Sequence, residues 1–284
     1  MESACPRPVA RVRPPAPYIG GKKHLADRIA PAIDSLRHET YAEPFVGMGG
    51  VFFRRSWAPA AEVINDRSRD VATLFRILQR HYPQFIETLK FQITSRREFE
   101  RLMATDPETL TDLERAARFL YLQRTAFGGK VAGRNFGTDC GVPGRFDTTK
   151  LGPILEAIHD RMAGVVIECL SWQDFVPRYD RPGTLFYLDP PYYGCEDDYG
   201  KGTFARREFG EVADVLAGIS GRFILSINDV PETREIFRRF HIEPVSTRYT
   251  LAGSDWLEAK EILVSGPAPE PIARPPDLFA GPAA

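Results

Sequence analysis

Six short apolar runs, separated by stretches whose apolar residues recur at helical spacing, constrain this chain more than any other feature. The runs TYAEPF (40–45), AEVIND (61–66), VVIECLSW (165–172), TLFYLDPPY (184–192), RFILSIND (222–229) and EAKEILVS (258–265) predict strands. Segments 22–36, 69–80, 149–162, 206–219 and 231–240 predict helices, often with Asp, Ser or Thr near the start. Strands that alternate with helices imply an α/β fold with a mostly parallel sheet covered on both faces. One connection breaks the rhythm. About 95 residues separate the second run from the third, far more than one crossover helix needs. The chain therefore divides into a core of 17–80 and 149–265 and a mainly helical insertion of 81–148 that ends in a Gly-rich, basic loop. Five prolines in the first 17 residues and six from 266 onward predict disordered tails at 1–16 and 266–284.

Composition narrows the class. A chain of 284 residues with 43 % hydrophobic content can bury a sizeable core. No stretch has the roughly 18 consecutive apolar residues of a membrane span, and the first residues lack a signal-peptide pattern, so a cytoplasmic location is expected. Cys5, Cys140, Cys169 and Cys195 form no CxxC pair, and the five histidines form neither HxH nor HExxH, so no metal site is expected. The net charge of −1 is uninformative as a total. Locally, Arg115, Arg118, Arg124, Lys130, Arg134, Arg145 and Lys150 face only Asp139 and Asp147, which marks a candidate phosphate-binding surface.

Two motifs suggest a nucleoside site. Glu43-Pro-Phe45-Val-Gly47-Met-Gly49-Gly50 follows a predicted strand, where glycines let the backbone approach a ligand closely. Asp66 ends the next strand, 17 residues after Gly49, and its carboxylate is placed to accept hydrogen bonds from two ribose hydroxyls. The chain carries neither GxGxxG nor GKS/T there, so a nucleoside cofactor without a pyrophosphate fits better than a dinucleotide.

The sharpest motif is Asp189-Pro190-Pro191-Tyr192 at the end of a fully apolar run. Two prolines make a rigid loop whose carbonyls stay free as acceptors. Such a loop grips an amino group: the Asp189 carboxylate accepts one N–H, the Pro190 carbonyl the other, and Tyr192 stacks on the base.

With these motifs in order, the sequence resembles the Dam-type (D12 class, alpha group) DNA adenine-N6 methyltransferases over about 17–264. PYIGGK (17–22), IND (64–66), FLYLQRTAFGG (119–129), WQDF (172–175) and LSIND (225–229) add to the match. The resemblance implies a Rossmann-like S-adenosylmethionine-dependent methyltransferase sheet, with the insertion as the DNA target-recognition subdomain. It implies cofactor contacts from Tyr18 and Lys22, from Glu43, Phe45, Gly47 and Gly49, from Asp66 at the ribose, and from Asp174 and Phe175 at the cofactor's adenine. Asp189 would face both cofactor and target base. Gln123-Arg124 and Gly128 depart from the family's usual residues, in the region that resembles its base-reading element. Arg124, Lys130, Arg134 and Arg145 are the candidate contacts to phosphate or guanine in double-stranded DNA.

The expected reaction is direct methyl transfer to N6 of a flipped adenine, without a metal or covalent enzyme intermediate. Cytosine-N4 methylation and a catalytically silent DNA-binding relative remain open alternatives at this stage, and a cognate restriction endonuclease is a candidate partner.

Overall fold

The structure, a computed structural model, describes residues 6–22, 25–137, 141, 143–200, 202–250 and 256–266. In chain order the elements are β1 (Arg7–Pro8), α1 (Ala26–Ser35), β2 (Thr40–Glu43), β3 (Trp57–Ala58), β4 (Ala61–Asn65), α2 (Arg69–Arg80), α3 (Tyr82–Leu89), α4 (Arg96–Ala104) and α5 (Asp112–Thr125). They continue with α6 (Thr148–Arg161), β5 (Val166–Glu168), α7 (Trp172–Tyr179), β6 (Thr184–Leu188), α8 (Glu208–Gly218), β7 (Arg222–Asn228), α9 (Pro231–Ile236), β8 (His241–Thr250) and β9 (Trp256–Gly266). All six predicted strands are present, and the fold is Rossmann-like.

Seven strands form one sheet in the order β5-β4-β2-β6-β7-β9-β8. The first five pair in parallel, whereas β9 pairs antiparallel with both β7 and β8, so β9 alone runs against the others. The chain builds outward from β2 through β4 to β5, then returns to the other side of β2 to lay down β6. Loops leaving β2 and β6 therefore diverge, and a crevice opens at the carboxyl ends of these neighbours, the usual ligand position in open α/β sheets.

Strand alternation explains the two cores. On β6, buried throughout, Leu185 and Tyr187 enter one core while Phe186 and Leu188 enter the other. The first core is covered by α1, α2 and α6, the second by α7 and α8. The insertion holds α3, α4 and α5. Helix α5 starts at a capping box, Thr111 with Glu114, and buries Phe119, Leu120, Tyr121 and Leu122. These side chains join the first core directly, so the insertion's helices share one continuous apolar interior with α2, α6 and the sheet.

Three local expectations are corrected. The proline-rich start is ordered from residue 6: β1 pairs with β3, Val9 and Val12 donate to the Ser56 and Phe53 carbonyls, and Val12 and Ala16 are buried. Proline suits this extended path because few of its backbone N–H groups need partners. Strand β8 was not expected, because Pro244 and polar residues obscure its pattern; an edge position tolerates both. Helix α1 begins at Ala26 rather than residue 22. After the glycine turn the chain forms a short 3-10 turn, Phe52–Arg54. The tail beyond Gly266 lies outside the described residues.

A buried ion cluster ties β4 to the first core. Glu62 accepts from Arg55 at 2.9 Å and from two nitrogens of Arg161 at 2.7 Å each, all three side chains being buried. Glu62→Ala leaves two buried guanidinium groups short of a counter-charge, and should lower unfolding free energy by about 3–5 kcal/mol in urea denaturation.

Candidate active site

The turn after β2 is built around backbone that only glycine adopts easily. Gly49 has φ +72°, and a Cβ there would lie 2.4 Å from the Phe53 ring. The amide of Gly47 donates to Asp66 Oδ2 at 2.9 Å, and that of Ser68 donates to Oδ1 at 2.8 Å. Each Asp66 oxygen thus keeps acceptor capacity for a further donor. Asn65, next to it, is nearly inaccessible. Its amide nitrogen donates to the carbonyls of Pro44 and Leu170, and its oxygen accepts from the Leu170 amide. One side chain thereby fixes the loops that follow β2 and β5. Sequence reading assigned no task to Asn65, although IND was among the motifs.

Across the crevice, Asp189 sits just beyond β6. Its Oδ1 accepts from Lys22 Nζ at 2.7 Å and from Ser226 Oγ at 3.0 Å, and Ser226 is in turn bonded to Tyr187. Asp189 Oδ2 has no protein donor among the described residues. Lys22 also donates to the Tyr192 hydroxyl at 2.8 Å, with Nζ 4.3 Å from the Tyr192 ring centroid, and lies 3.3 Å from Glu261 Oε2. Asn228, at the end of β7, holds the same loop through both polar groups of the Tyr193 backbone.

These residues enclose a cavity of about 550 Å³, within the size range of small-molecule sites. Tyr18, Lys22, Glu43, Phe45, Gly47, Asp66 and Asp189 line it, and so does Arg124, which the sequence reading set at DNA instead. Pro191 is also in the wall. Pro190 is buried but not in the wall, and Tyr192 lies beside Lys22 rather than in it. Gly49 shapes the turn without lining the cavity.

Two implied contacts are placed elsewhere. Asp174 is exposed and engaged in the α7 cap, exchanging hydrogen bonds with Ser171, and Phe175 is fully buried against Tyr179. Trp172 and Leu170 face the cavity instead, and with Phe45 and Phe204 they form its apolar end. Phe45 meets Phe204 edge to face at 6.1 Å. Tyr199 was also missed. Its hydroxyl donates to the Ile19 carbonyl at 2.8 Å and its ring packs on Tyr18 at 5.7 Å, so the loop after the DPPY motif meets the N-terminal segment.

The loop after α5 folds as a hairpin, with Phe127 donating to the Asn135 carbonyl and Gly137 to that of Thr125. Gly129 approaches the N-terminal segment so closely that a Cβ would lie 2.9 Å from Tyr18 N. Gln123, wholly buried, donates to the Pro17 and Gly129 carbonyls and locks this junction. Most of the expected basic surface is spent on bracing. Arg124 donates to the Pro15 and Arg145 carbonyls, Arg134 to Lys130 and Gln123, and Arg145 to Ala126. Arg115 and Arg118 are buried with protein acceptors, whereas Lys130 is exposed. Among the described residues no group of three His, Cys, Asp or Glu side chains has metal-binding geometry, and no helix is long and apolar enough to cross a membrane.

Burial dominates the electrostatics. It pushes Glu43 up to about 8 despite the hydrogen bond from Tyr41, and Asp66 up to about 6. Asp189 rises to about 6, burial outweighing Lys22. Burial opposes the charge on Lys22, but Asp189 and Glu261 outweigh it and hold the ammonium above its ordinary value. Native Glu43 therefore keeps a proton that the unfolded chain releases near 4.5. The stability this confers is present at low pH and disappears as pH rises from that value through about 8. Urea midpoints of the ligand-free protein should fall between pH 6 and 9, and Glu43→Gln should reduce the fall.

Residues 18–251 match the family model for the D12 class N6 adenine-specific DNA methyltransferases. The chain is 27 % identical over 263 residues to the type II methyltransferase M1.LlaDCHI of Lactococcus lactis subsp. cremoris, covering 84 % of this chain and 89 % of that one. It is 25 % identical over 230 residues to the type II methyltransferase M.CviBI of Paramecium bursaria Chlorella virus NC1A, covering 80 % and 86 %. The family match runs across the glycine turn, the insertion and the DPPY loop alike, and the chain belongs to the D12 class of N6 adenine-specific DNA methyltransferases.

Proposed function

We propose that the crevice between β2 and β6 binds S-adenosylmethionine and that an adenine rotated out of a DNA duplex presents its N6 to Asp189. The reading is carried by one observation: Asp189 has Oδ1 filled by Lys22 and Ser226, has Oδ2 without a protein donor among the described residues, and shares a cavity wall with Glu43, Asp66 and the glycine turn. Cofactor and chemistry are those of the family, and the family match selects adenine N6 over cytosine N4.

The residues suit this cofactor. Asp66 retains lone pairs for a ribose diol, the Phe45, Leu170, Trp172 and Phe204 walls suit a purine, and the carboxylates of Asp66 and Asp189 favour a cationic ligand. When bound, S-adenosylmethionine supplies a methyl group made electrophilic by its sulfonium charge. Asp189 Oδ2 accepts one N6 hydrogen and the Pro190 carbonyl the other, which aligns the nitrogen lone pair with the incoming carbon. As N6 gains its fourth bond it becomes acidic, and Asp189 Oδ2 takes the proton it sheds. Tyr192 stacks on the flipped base, helping to offset the few kcal/mol that unstacking costs.

The hairpin of 125–137 is proposed to meet the duplex, with Lys130 contacting phosphate and Arg124, Arg134 and Arg145 using the N–H groups left over from bracing. Segment 81–148 is thus the target-recognition subdomain. A cognate restriction endonuclease is a proposed partner, because both relatives are type II methyltransferases, and DNA as substrate favours a cytoplasmic, nucleoid-associated location.

Expression in a methylation-free bacterial host, with modified bases mapped by single-molecule sequencing, should reveal N6-methyladenine in one sequence context. Asp189→Ala should erase that signal while the purified variant stays folded and still binds cofactor; near-normal turnover in it would refute the assigned site. Lys130→Ala should weaken DNA binding and make the slope of log affinity against log salt shallower by about 1, with cofactor affinity unchanged.

A further inference from the structure

Glu261 lies on β9, far from every motif that marks the active site, yet it is the nearest unexplained charge to the reacting centre. Its side chain is 1 % exposed, and neither carboxylate oxygen has a hydrogen-bond partner. A buried carboxylate left in that state is costly unless a nearby cation compensates it. The cation is Lys22, whose Nζ lies 3.3 Å from Glu261 Oε2. The same ammonium holds Asp189 Oδ1 and the Tyr192 hydroxyl. The ammonium thus lies in ion-pair range of carboxylates from β9 and from the DPPY motif, and donates to that motif's tyrosine.

We infer that Glu261 is a positioning residue for methyl transfer: by anchoring Lys22 from the antiparallel strand, it keeps the ammonium on Asp189 Oδ1 and leaves Oδ2 for the target amine. The inference rests on the proposed role of Asp189. Without Glu261, Lys22 loses one of its two carboxylate counter-charges, and its full charge falls on Asp189. Both changes weaken the carboxylate as an acceptor. Glu261 and Asp189 also repel each other, which raises the pKa of Asp189. Other titratable groups surround this triad: Glu43 from β2, Tyr187 from β6, and Tyr192 and Tyr199 from the following loop. None of them contacts Lys22 from the β9 side.

Glu261→Gln keeps the shape and removes the charge. In single-turnover methyl transfer its plateau rate should fall at least tenfold, while cofactor affinity stays within twofold of the parent. The acid limb of its rate–pH profile should move to lower pH, since a like charge has left the neighbourhood of Asp189. Glu261→Asp should recover part of the rate. In a Lys22→Met background, adding Glu261→Gln should cost no further rate, because Glu261 acts through Lys22. This second comparison also serves if Glu261→Gln alone proves unstable. A plateau rate and acid limb equal to the parent's would overturn the inference, as would a loss shared equally by cofactor affinity, or additive losses in the double variant. Failure of Asp189→Ala to abolish turnover would instead remove the proposed active site itself, so the two outcomes are separable.

Discussion

Two asparagine side chains hold the reacting loops at fixed distances, and the rest of the site depends on them. Asn65 and Asn228 occupy equivalent places at the carboxyl ends of β4 and β7, each within an Ile-Asn-Asp run. The first joins the turn after β2 to the loop after β5, and the second pins the backbone that follows Tyr192. A primary amide suits this task because it donates and accepts at once and carries no charge into a buried position. Backbone ladders end where the strands end, so loops beyond them need such substitutes to keep sub-ångström order. Placement at this level is what aligned transfer between two bound molecules demands.

Around that scaffold the charges are unevenly divided. Glu43, Asp66 and Asp189 line one cavity, Lys22 pairs with Asp189 and Glu261, and burial raises the proton affinity of the three cavity carboxyls. A carboxyl group that burial keeps protonated ionises more readily once a cationic ligand arrives beside it. Ligand binding and carboxylate ionisation are therefore linked in this site. The insertion's arginines tell the opposite story: most donate to backbone carbonyls, so their charge stabilises loop shape before it meets any phosphate.

Much of this was legible in the sequence. The strands leading into the glycine turn, Asp66, Asp189 and Asn228 are short apolar runs whose ends carry the polar residues, and they appear where expected. Lys22, Glu43 and Asp66 reach the cavity as the family resemblance implied. What sequence could not provide was orientation. Nothing in WQDF tells that Trp172 lines the cavity and Phe175 does not. Nor does a cluster of arginines reveal that their partners are carbonyls of Pro15, Ala126 or Lys130, because those partners are main-chain atoms that every residue has. Glu261 was invisible for a related reason. It sits in an ordinary apolar strand, and only the sheet order brings it beside Lys22. The expected disordered N-terminal tail failed because proline content measures stiffness as well as disorder, and from residue 6 the stiff segment packs along β3.

The route of that N-terminal segment has a consequence for how the molecule matures. Lys22 is translated early, but its partners Asp189, Tyr192 and Glu261 emerge much later, and β9 must slide between β7 and β8 before Glu261 arrives. Contacts between such distant parts of a chain form late and slowly. A nascent polypeptide still tethered to the ribosome can build the glycine turn and most of the parallel sheet without owning a competent reaction centre. Competence then arrives as a single closing event, when the last strand is inserted, rather than growing by degrees as the fold accumulates.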